Sequence, residues 1–141
     1  MSVPPALRKD PRWARLADMV RDLAFLDGGS DDAFTLASGR TSRWFFDMKP
    51  VMMNPEAGRL VGDLMNVRCD EIGADFVGGL ELGAVPLAAL VIATDFTSER
   101  LGFMVRKQAK GRGGRKTNNP PGIEGTSIAN GGDVIILEDV T

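Results

Sequence analysis

Six cations fall between Val105 and Asn118 with no acid among them: Arg106, Lys107, Lys110, Arg112, Arg115 and Lys116. The whole chain carries a net charge of −2, so this island sits in an otherwise acidic protein. Such a pattern points to one local anionic ligand rather than a surface that binds polyanions at large. A solvated basic loop is the plain alternative. Gly111, Gly113 and Gly114 interleave with the cations and predict a mobile basic loop over residues 106–122. Closure of a cation-rich loop over a polyphosphate would exclude water and strengthen each charge contact at the reacting centre. Arg115-Lys116-Thr117 ends like a phosphate-binding P-loop, but Arg115 stands where that motif requires glycine.

Two further groups could share such a ligand. Glu138 and Asp139 directly follow the apolar run Val134-Ile135-Ile136-Leu137. Two carboxylates at a strand's end can hold sugar hydroxyls, or a Mg²⁺ that itself binds phosphate oxygens. A solvated strand terminus is the alternative. The glycine-rich turn from Gly78 to Gly83 precedes an apolar helical stretch, and glycines there let a backbone approach a phosphate at a helix N-terminus. The chain has no histidine. That excludes Ser-His-Asp and Cys-His catalysis and leaves zinc only one cysteine and carboxylates. A general base must be a carboxylate, a lysine or the substrate itself. These residues describe a domain handling an anionic, phosphorylated, sugar-bearing ligand with Mg²⁺; the reaction does not follow from them.

The elements that must position these groups read as an α/β domain. With 141 residues, 43% of them hydrophobic, the chain can bury a core as a single domain, 1–141. Asp10-Pro11 is a cap followed by proline, and Trp13, Leu16, Ala17, Val20 and Ala24 recur at helical spacing, predicting a helix over 11–26. Phe34-Thr35-Leu36 and Trp44-Phe45-Phe46 read as two short strands around the polar turn Ser38 to Ser42. Asn54-Pro55 opens a second helix carrying Leu60, Val61, Leu64 and Val67, with Cys69 expected just after it as an inert small hydrophobe. Phe76-Val77 then reads as a strand, Val85 to Ala93 as a buried helix, Leu101 to Val105 as a strand, Thr117 to Gly125 as a long loop, and Val134 to Leu137 as a buried strand. This alternation predicts a parallel sheet, whose ligands bind outside the carboxyl ends of its strands.

The same sequence limits where the protein works. The longest apolar stretch, Ala84 to Ala93, is far short of the ~18 residues that span a membrane. Met1 to Pro5 has no apolar signal core, so a cytoplasmic protein with no membrane partner is expected. One cysteine excludes an intramolecular disulfide framework. Aromatic residues at 6% with no tyrosine offer few stacking surfaces, which argues against a nucleic-acid partner.

Four ordered motifs resemble the type I phosphoribosyltransferases, and among them the orotate phosphoribosyltransferases. Val134 to Thr141 (VIILEDVT) resembles the first half of their phosphoribosyl-pyrophosphate (PRPP) motif. Phe34 to Asp47 (FTLASGRTSRWFFD) is similar to their N-terminal hood segment, and Gly78 to Ala88 (GGLELGAVPLA) to their pyrophosphate-side turn. Val105 to Lys110 (VRKQAK) resembles the start of their catalytic loop, and Ile123-Glu124-Gly125 the sequence that closes it. The resemblance implies a central parallel sheet flanked by helices, a small N-terminal hood within residues 1–50, and further C-terminal elements of the fold beyond Thr141. It implies transfer of ribose 5-phosphate from PRPP to orotate, giving orotidine 5′-monophosphate and pyrophosphate in UMP synthesis, with Mg²⁺ held mainly through PRPP. Alternatives are a phosphoribosyltransferase for another base and a non-catalytic PRPP-binding regulator.

Carried over by motif, Lys107, Lys110 and Asp139 are the catalytic residues, and the PRPP ligands are Arg106, Lys107, Lys110, Arg112, Glu138, Asp139, Val140 and Thr141. Phe45 and Phe46 would lie against the orotate ring. Arg112 stands where many relatives carry a loop histidine, and Ala37 where some carry a lysine. The resemblance also implies a homodimer in which the loop 106–122 of one subunit reaches the other's site.

Overall fold

The computed structural model describes residues 5–36, 38–97, 99–108 and 117–139. The chain forms two compact units, Met1–Leu60 and Val61–Thr141.

The first unit opens with α1 (Pro5–Arg8) and α2 (Pro11–Leu23). Asp10 caps α2 by accepting the Arg12 N–H at 2.9 Å, and the Arg12 guanidinium folds back onto the same carboxylate at 2.7 Å. Met19 and Ala24 are buried, while the Ala24 N–H still donates to the Val20 carbonyl. The helix ends at Leu23, short of the expected residue 26. Phe25 to Asp27 instead become β1 (Phe25–Asp27), because two consecutive apolar residues, one aromatic, gain a cross-strand partner there.

That partner is β4 (Trp44–Phe46), in antiparallel register Phe25↔Phe46, Leu26↔Phe45, Asp27↔Trp44. Between them lie β2 (Phe34–Thr35) and β3 (Thr41–Ser42), which pair with each other. Part of the expected turn is therefore itself a strand, and Trp44–Phe46 pairs with the end of the first helical stretch rather than with Phe34–Leu36. Asp27 and Arg43 brace the β1–β4 ribbon through two hydrogen bonds of 2.7 and 3.0 Å. A short α3 (Lys49–Met52) buries Val51 and Met52.

Helix α4 (Pro55–Ile72) starts in the first unit and continues in the second. Asn54 Oδ1 accepts the N–H groups of Glu56 and Ala57, both at 3.0 Å, as its cap-proline signal predicts. Arg15 reaches Glu56 in the first turn through bonds of 2.6 and 2.8 Å. Cys69 lies inside α4, not after it, and is buried. Burial pushes its thiol up from the ordinary value, which suits an inert filler.

The second unit is a four-stranded sheet with α5 (Ala84–Thr94) crossing between its first two strands. These are β5 (Phe76–Leu80) and β6 (Leu101–Val105); β7 (Ile123–Gly125) and β8 (Val134–Leu137) complete the order β7-β6-β5-β8. Strands β6, β5 and β8 are parallel, as the strand–helix alternation predicts, and β7 runs antiparallel at the edge. The loop that the sequence predicts over Thr117 to Gly125 ends instead in a strand, Ile123–Gly125. This segment forms a strand because the outer backbone groups of β6 need partners, and a turn at Gly122, with φ of 91°, brings the chain back beside them. Leu87, Ala88 and Val91 of α5 are buried, as are Val77 and Phe103 of the sheet.

Helices α4 and α5 approach closely at Gly62. A Cβ there would lie 2.6 Å from the Leu90 carbonyl oxygen. One turn on, Asn66 Nδ2 donates to the Val91 carbonyl at 2.9 Å and to Thr94 Oγ1 at 3.0 Å. Asn66 Oδ1 accepts from the buried Arg100, which also bonds the Ala74 carbonyl at 3.1 Å and Asp70 at 2.6 Å. This polar cluster ties α4, the start of β5 and the start of β6 together. Among the described residues no helix is long and apolar enough to cross a membrane.

Candidate active site

Three parallel strands end side by side, with Leu80 of β5 opposite Val105 of β6 and Gly79 of β5 opposite Leu137 of β8. The residues that follow each strand are therefore neighbours. They are the glycine turn after β5, Arg106 and Lys107 after β6, and Glu138 and Asp139 after β8.

The turn leads into α5, whose cap residue Gly83 offers no side chain. The first N–H groups of α5 get no hydrogen bond from a capping side chain, and the helix dipole favours negative charge beside them. Asp139 brings its carboxylate to this place: a Cβ on Gly83 would lie 1.8 Å from Asp139 Oδ2 and 2.5 Å from Oδ1. The Asp139 N–H is itself held at 3.0 Å by Glu138 Oε1. The Glu81–Leu82 peptide in the same turn is cis.

On the other side of the turn, Glu81 meets the start of the basic run. Its N–H donates to the Val105 carbonyl at 2.8 Å, and its Oε1 accepts the Lys107 N–H at 2.8 Å. The Arg106 guanidinium lies between two carboxylates, 3.8 Å from Glu81 and 3.7 Å from Glu124 of β7. Its own N–H donates to the Gly122 carbonyl at 2.8 Å. The Lys107 side chain is exposed.

Of the residues singled out from sequence, Arg106, Lys107, Glu138 and Asp139 thus stand at adjacent strand ends. Lys110, Arg112, Val140 and Thr141 lie outside the described residues. Phe45 and Phe46 belong to β4, in the other compact unit, and alternate across its two faces. Phe45 packs toward Phe34 with ring centroids 5.8 Å apart, and Phe46 toward Phe25 at 5.2 Å. Sequence reasoning missed Glu81 and Glu124. Glu81 is marked only as an acid inside a turn otherwise made of glycine and apolar residues, and Glu124 only as the middle residue of the loop-closing Ile123-Glu124-Gly125.

The donor chemistry suits a hard cation held largely by its ligand. Glu138 and Asp139 are oxygen donors at one strand end, and among the described residues no three His, Cys, Asp or Glu side chains come together as a metal cage. Oxygen donors of this kind are what a hard cation such as Mg²⁺ takes.

No family model matches the chain. The orotate phosphoribosyltransferase of Rhodopseudomonas palustris (strain BisB18) is 38% identical over 137 residues, covering 96% of this chain and 70% of the relative. Among solved structures, the orotate phosphoribosyltransferase of Mycobacterium tuberculosis H37Rv in complex with Fe(III) dicitrate matches with a TM-score of 0.72 and 32% identity, over 92% of this chain and 67% of that one. The same protein in complex with PRPP matches with a TM-score of 0.67 and 29% identity, over 92% of this chain and 65% of that one. The parallel sheet, the order of the motifs along it and this degree of identity agree: the chain belongs to the orotate phosphoribosyltransferase family.

Proposed function

We propose that the cluster at the ends of β5, β6 and β8 binds PRPP and serves transfer of its ribose 5-phosphate to orotate. The observation that carries this reading is the seat of Asp139 against Gly83, which sets a carboxylate pair beside a glycine turn whose other side is tied to Lys107. In the reaction a ring nitrogen of orotate forms a bond to C1 of the ribose as the bond from C1 to pyrophosphate breaks. Positive charge builds on the ribose and negative charge on the leaving group.

Each residue type suits one part of that charge separation. Lys107 and Lys110, with Arg106 and Arg112, neutralise the departing pyrophosphate. Glu138 and Asp139 hold the ribose hydroxyls, and the carboxylate pair would also carry Mg²⁺ bound to PRPP. When bound, that ion supplies charge neutralisation at the phosphate oxygens. Val140 and Thr141 continue the donor-binding segment, and Phe45 or Phe46 covers the orotate ring. Orotate provides its own nucleophilic nitrogen, so a chain without histidine suffices. Similarity to the family further supports a cytoplasmic homodimer in which residues 106–122 of one subunit reach the other's site.

The test is to mix the protein with PRPP, Mg²⁺ and orotate and follow loss of orotate absorbance together with pyrophosphate release, with purine bases in parallel. Loss of orotate alone, matched by pyrophosphate, supports the reading. Turnover of a purine base instead assigns another acceptor, and PRPP binding without pyrophosphate release assigns a regulator.

A further inference from the structure

Glu81 makes contacts that the transfer reaction does not require of it. It is an acid in a turn that faces an anionic ligand, where its charge alone would repel. Yet its Oε1 accepts the Lys107 N–H at 2.8 Å, and its backbone N–H donates to the Val105 carbonyl at 2.8 Å. Two bonds from one residue thus span the point where β6 ends and the cationic segment begins. Glu124 stands across Arg106 at 3.7 Å, so the guanidinium is held between an acid from each side.

We infer that Glu81 is a positioning residue: it moors the backbone of Lys107 to the glycine turn, so that the Lys107 ammonium starts from a fixed point beside the ligand. Arg106, held between Glu81 and Glu124, serves as the pin of this mooring, and Lys107 as the cation that reaches outward. The inference rests on the reading above that the segment meets a pyrophosphate-bearing ligand. The mooring itself is a property of the free protein and can be measured without one.

Charge and hydrogen bonding separate in two variants. Glu81→Gln keeps an acceptor for the Lys107 N–H and removes the negative charge; Glu81→Met keeps the length and removes both. If Glu81 acted on the ligand through charge alone, both variants would bind Mg²⁺–pyrophosphate more tightly than the parent. Mooring predicts that Glu81→Met loses about tenfold in affinity while Glu81→Gln stays within about threefold, because only the first leaves the Lys107 N–H without its acceptor. Backbone amide exchange is read on the same samples. The Lys107 amide should exchange at least about tenfold faster in Glu81→Met and unchanged in Glu81→Gln, with Val77 and Phe103 of the sheet still protected.

An unchanged Lys107 amide in Glu81→Met overturns the proposal. So does loss of protection across β5 and β6 alike, since Glu81 would then merely support the sheet. If the parent binds no Mg²⁺–pyrophosphate, the proposed function loses its ligand, and the Lys107 amide still decides the mooring.

Discussion

The carboxylate of Asp139 fills the space where Gly83 would carry a side chain: a Cβ there would sit 1.8 Å from Oδ2. Gly83 has φ of −67° and ψ of −33°, a conformation any residue adopts. The glycine is therefore needed for room, not for backbone freedom. Gly83→Ala should leave the unfolding midpoint nearly unchanged while displacing Asp139 and weakening Mg²⁺–PRPP binding by about tenfold or more, the loss of a charged contact. Titration calorimetry beside a thermal melt checks both halves. Unaltered affinity would remove the seat of Asp139 from the site.

Lys107 is exposed and, among the described residues, moored through its backbone, so its truncation tests chemistry without disturbing packing. Lys107→Ala should lower turnover by about two orders of magnitude, in the range seen when one donor to developing negative charge is removed. Stability to urea should be the same as the parent's. Near-normal pyrophosphate release would take this lysine out of the mechanism.

Phe45 and Phe46 are adjacent in sequence but lie on opposite faces of the β1–β4 ribbon, toward Phe34 and Phe25 respectively. A flat ring can rest against only one face. Of Phe45→Ala and Phe46→Ala, one should weaken orotate binding by about 0.5–1.5 kcal/mol, the worth of an aromatic pair beyond simple burial. The other should leave orotate affinity alone. Equal losses in competition binding would overturn the one-face reading, and no loss in either variant would show that neither phenylalanine contacts the ring.

Much of this was legible in the sequence because it is local. Asp10-Pro11 and Asn54-Pro55 announce helix starts through a side chain and a proline that act on their own turn, and both caps form. The parallel strands carry short apolar runs, and the crossover helix α5 lets β5 and β6 run parallel. What failed to show is non-local. Phe25 and Leu26 follow the last stripe residue of α2 with no helix breaker before Asp27-Gly28, and only pairing with Phe46 and Phe45, some twenty residues on, makes them a strand. Ile123–Gly125 has too few residues to display a period and owes its pairing to β6. Glu81 meets Lys107 across a separation of 26 residues, which no pattern within the turn encodes. The apolar stripe of α4 fades after Val67, which hides from the sequence that its backbone bonds run on past Cys69 to Ile72.

Arg100 supplies the strongest stability test. Its side chain is only 7% exposed, and it bonds the Ala74 carbonyl, Asn66 Oδ1 and Asp70, joining α4 to the starts of β5 and β6. Removing the guanidinium strands a buried carbonyl and an amide oxygen together. Arg100→Met, which keeps most of the volume, should cost about 3 kcal/mol in chemical denaturation. Asn66→Leu, by contrast, removes one partner of the arginine and two donor bonds to α5, and should cost a similar amount. Because the two residues share a bond, the double variant should cost less than the sum. Full additivity would show that the cluster does not act as a unit.

The Asp27–Arg43 pair gives the pH dependence of the first unit. Hydrogen bonds from the Arg43 side chain, and then from the Gly29 N–H, lower the Asp27 carboxyl from the ordinary 3.8 to about 2. A depressed carboxyl contributes stability that is fully present above its unfolded value, and that contribution is lost as pH falls through the folded one. The β1–β4 ribbon should therefore hold at pH 5 and loosen between about pH 4 and pH 2. The pair is exposed at the surface, so added salt should raise the Asp27 midpoint toward its ordinary value. A carboxyl-detected NMR titration gives that midpoint directly. In Arg43→Ala it should return part of the way to 3.8, with the Gly29 N–H and the Trp44 side chain left to hold it down. A parent midpoint at 3.8 would mean that the ion pair does not persist in solution, and the ribbon would then rest on its backbone pairing and the aromatic pair of Phe25 and Phe46.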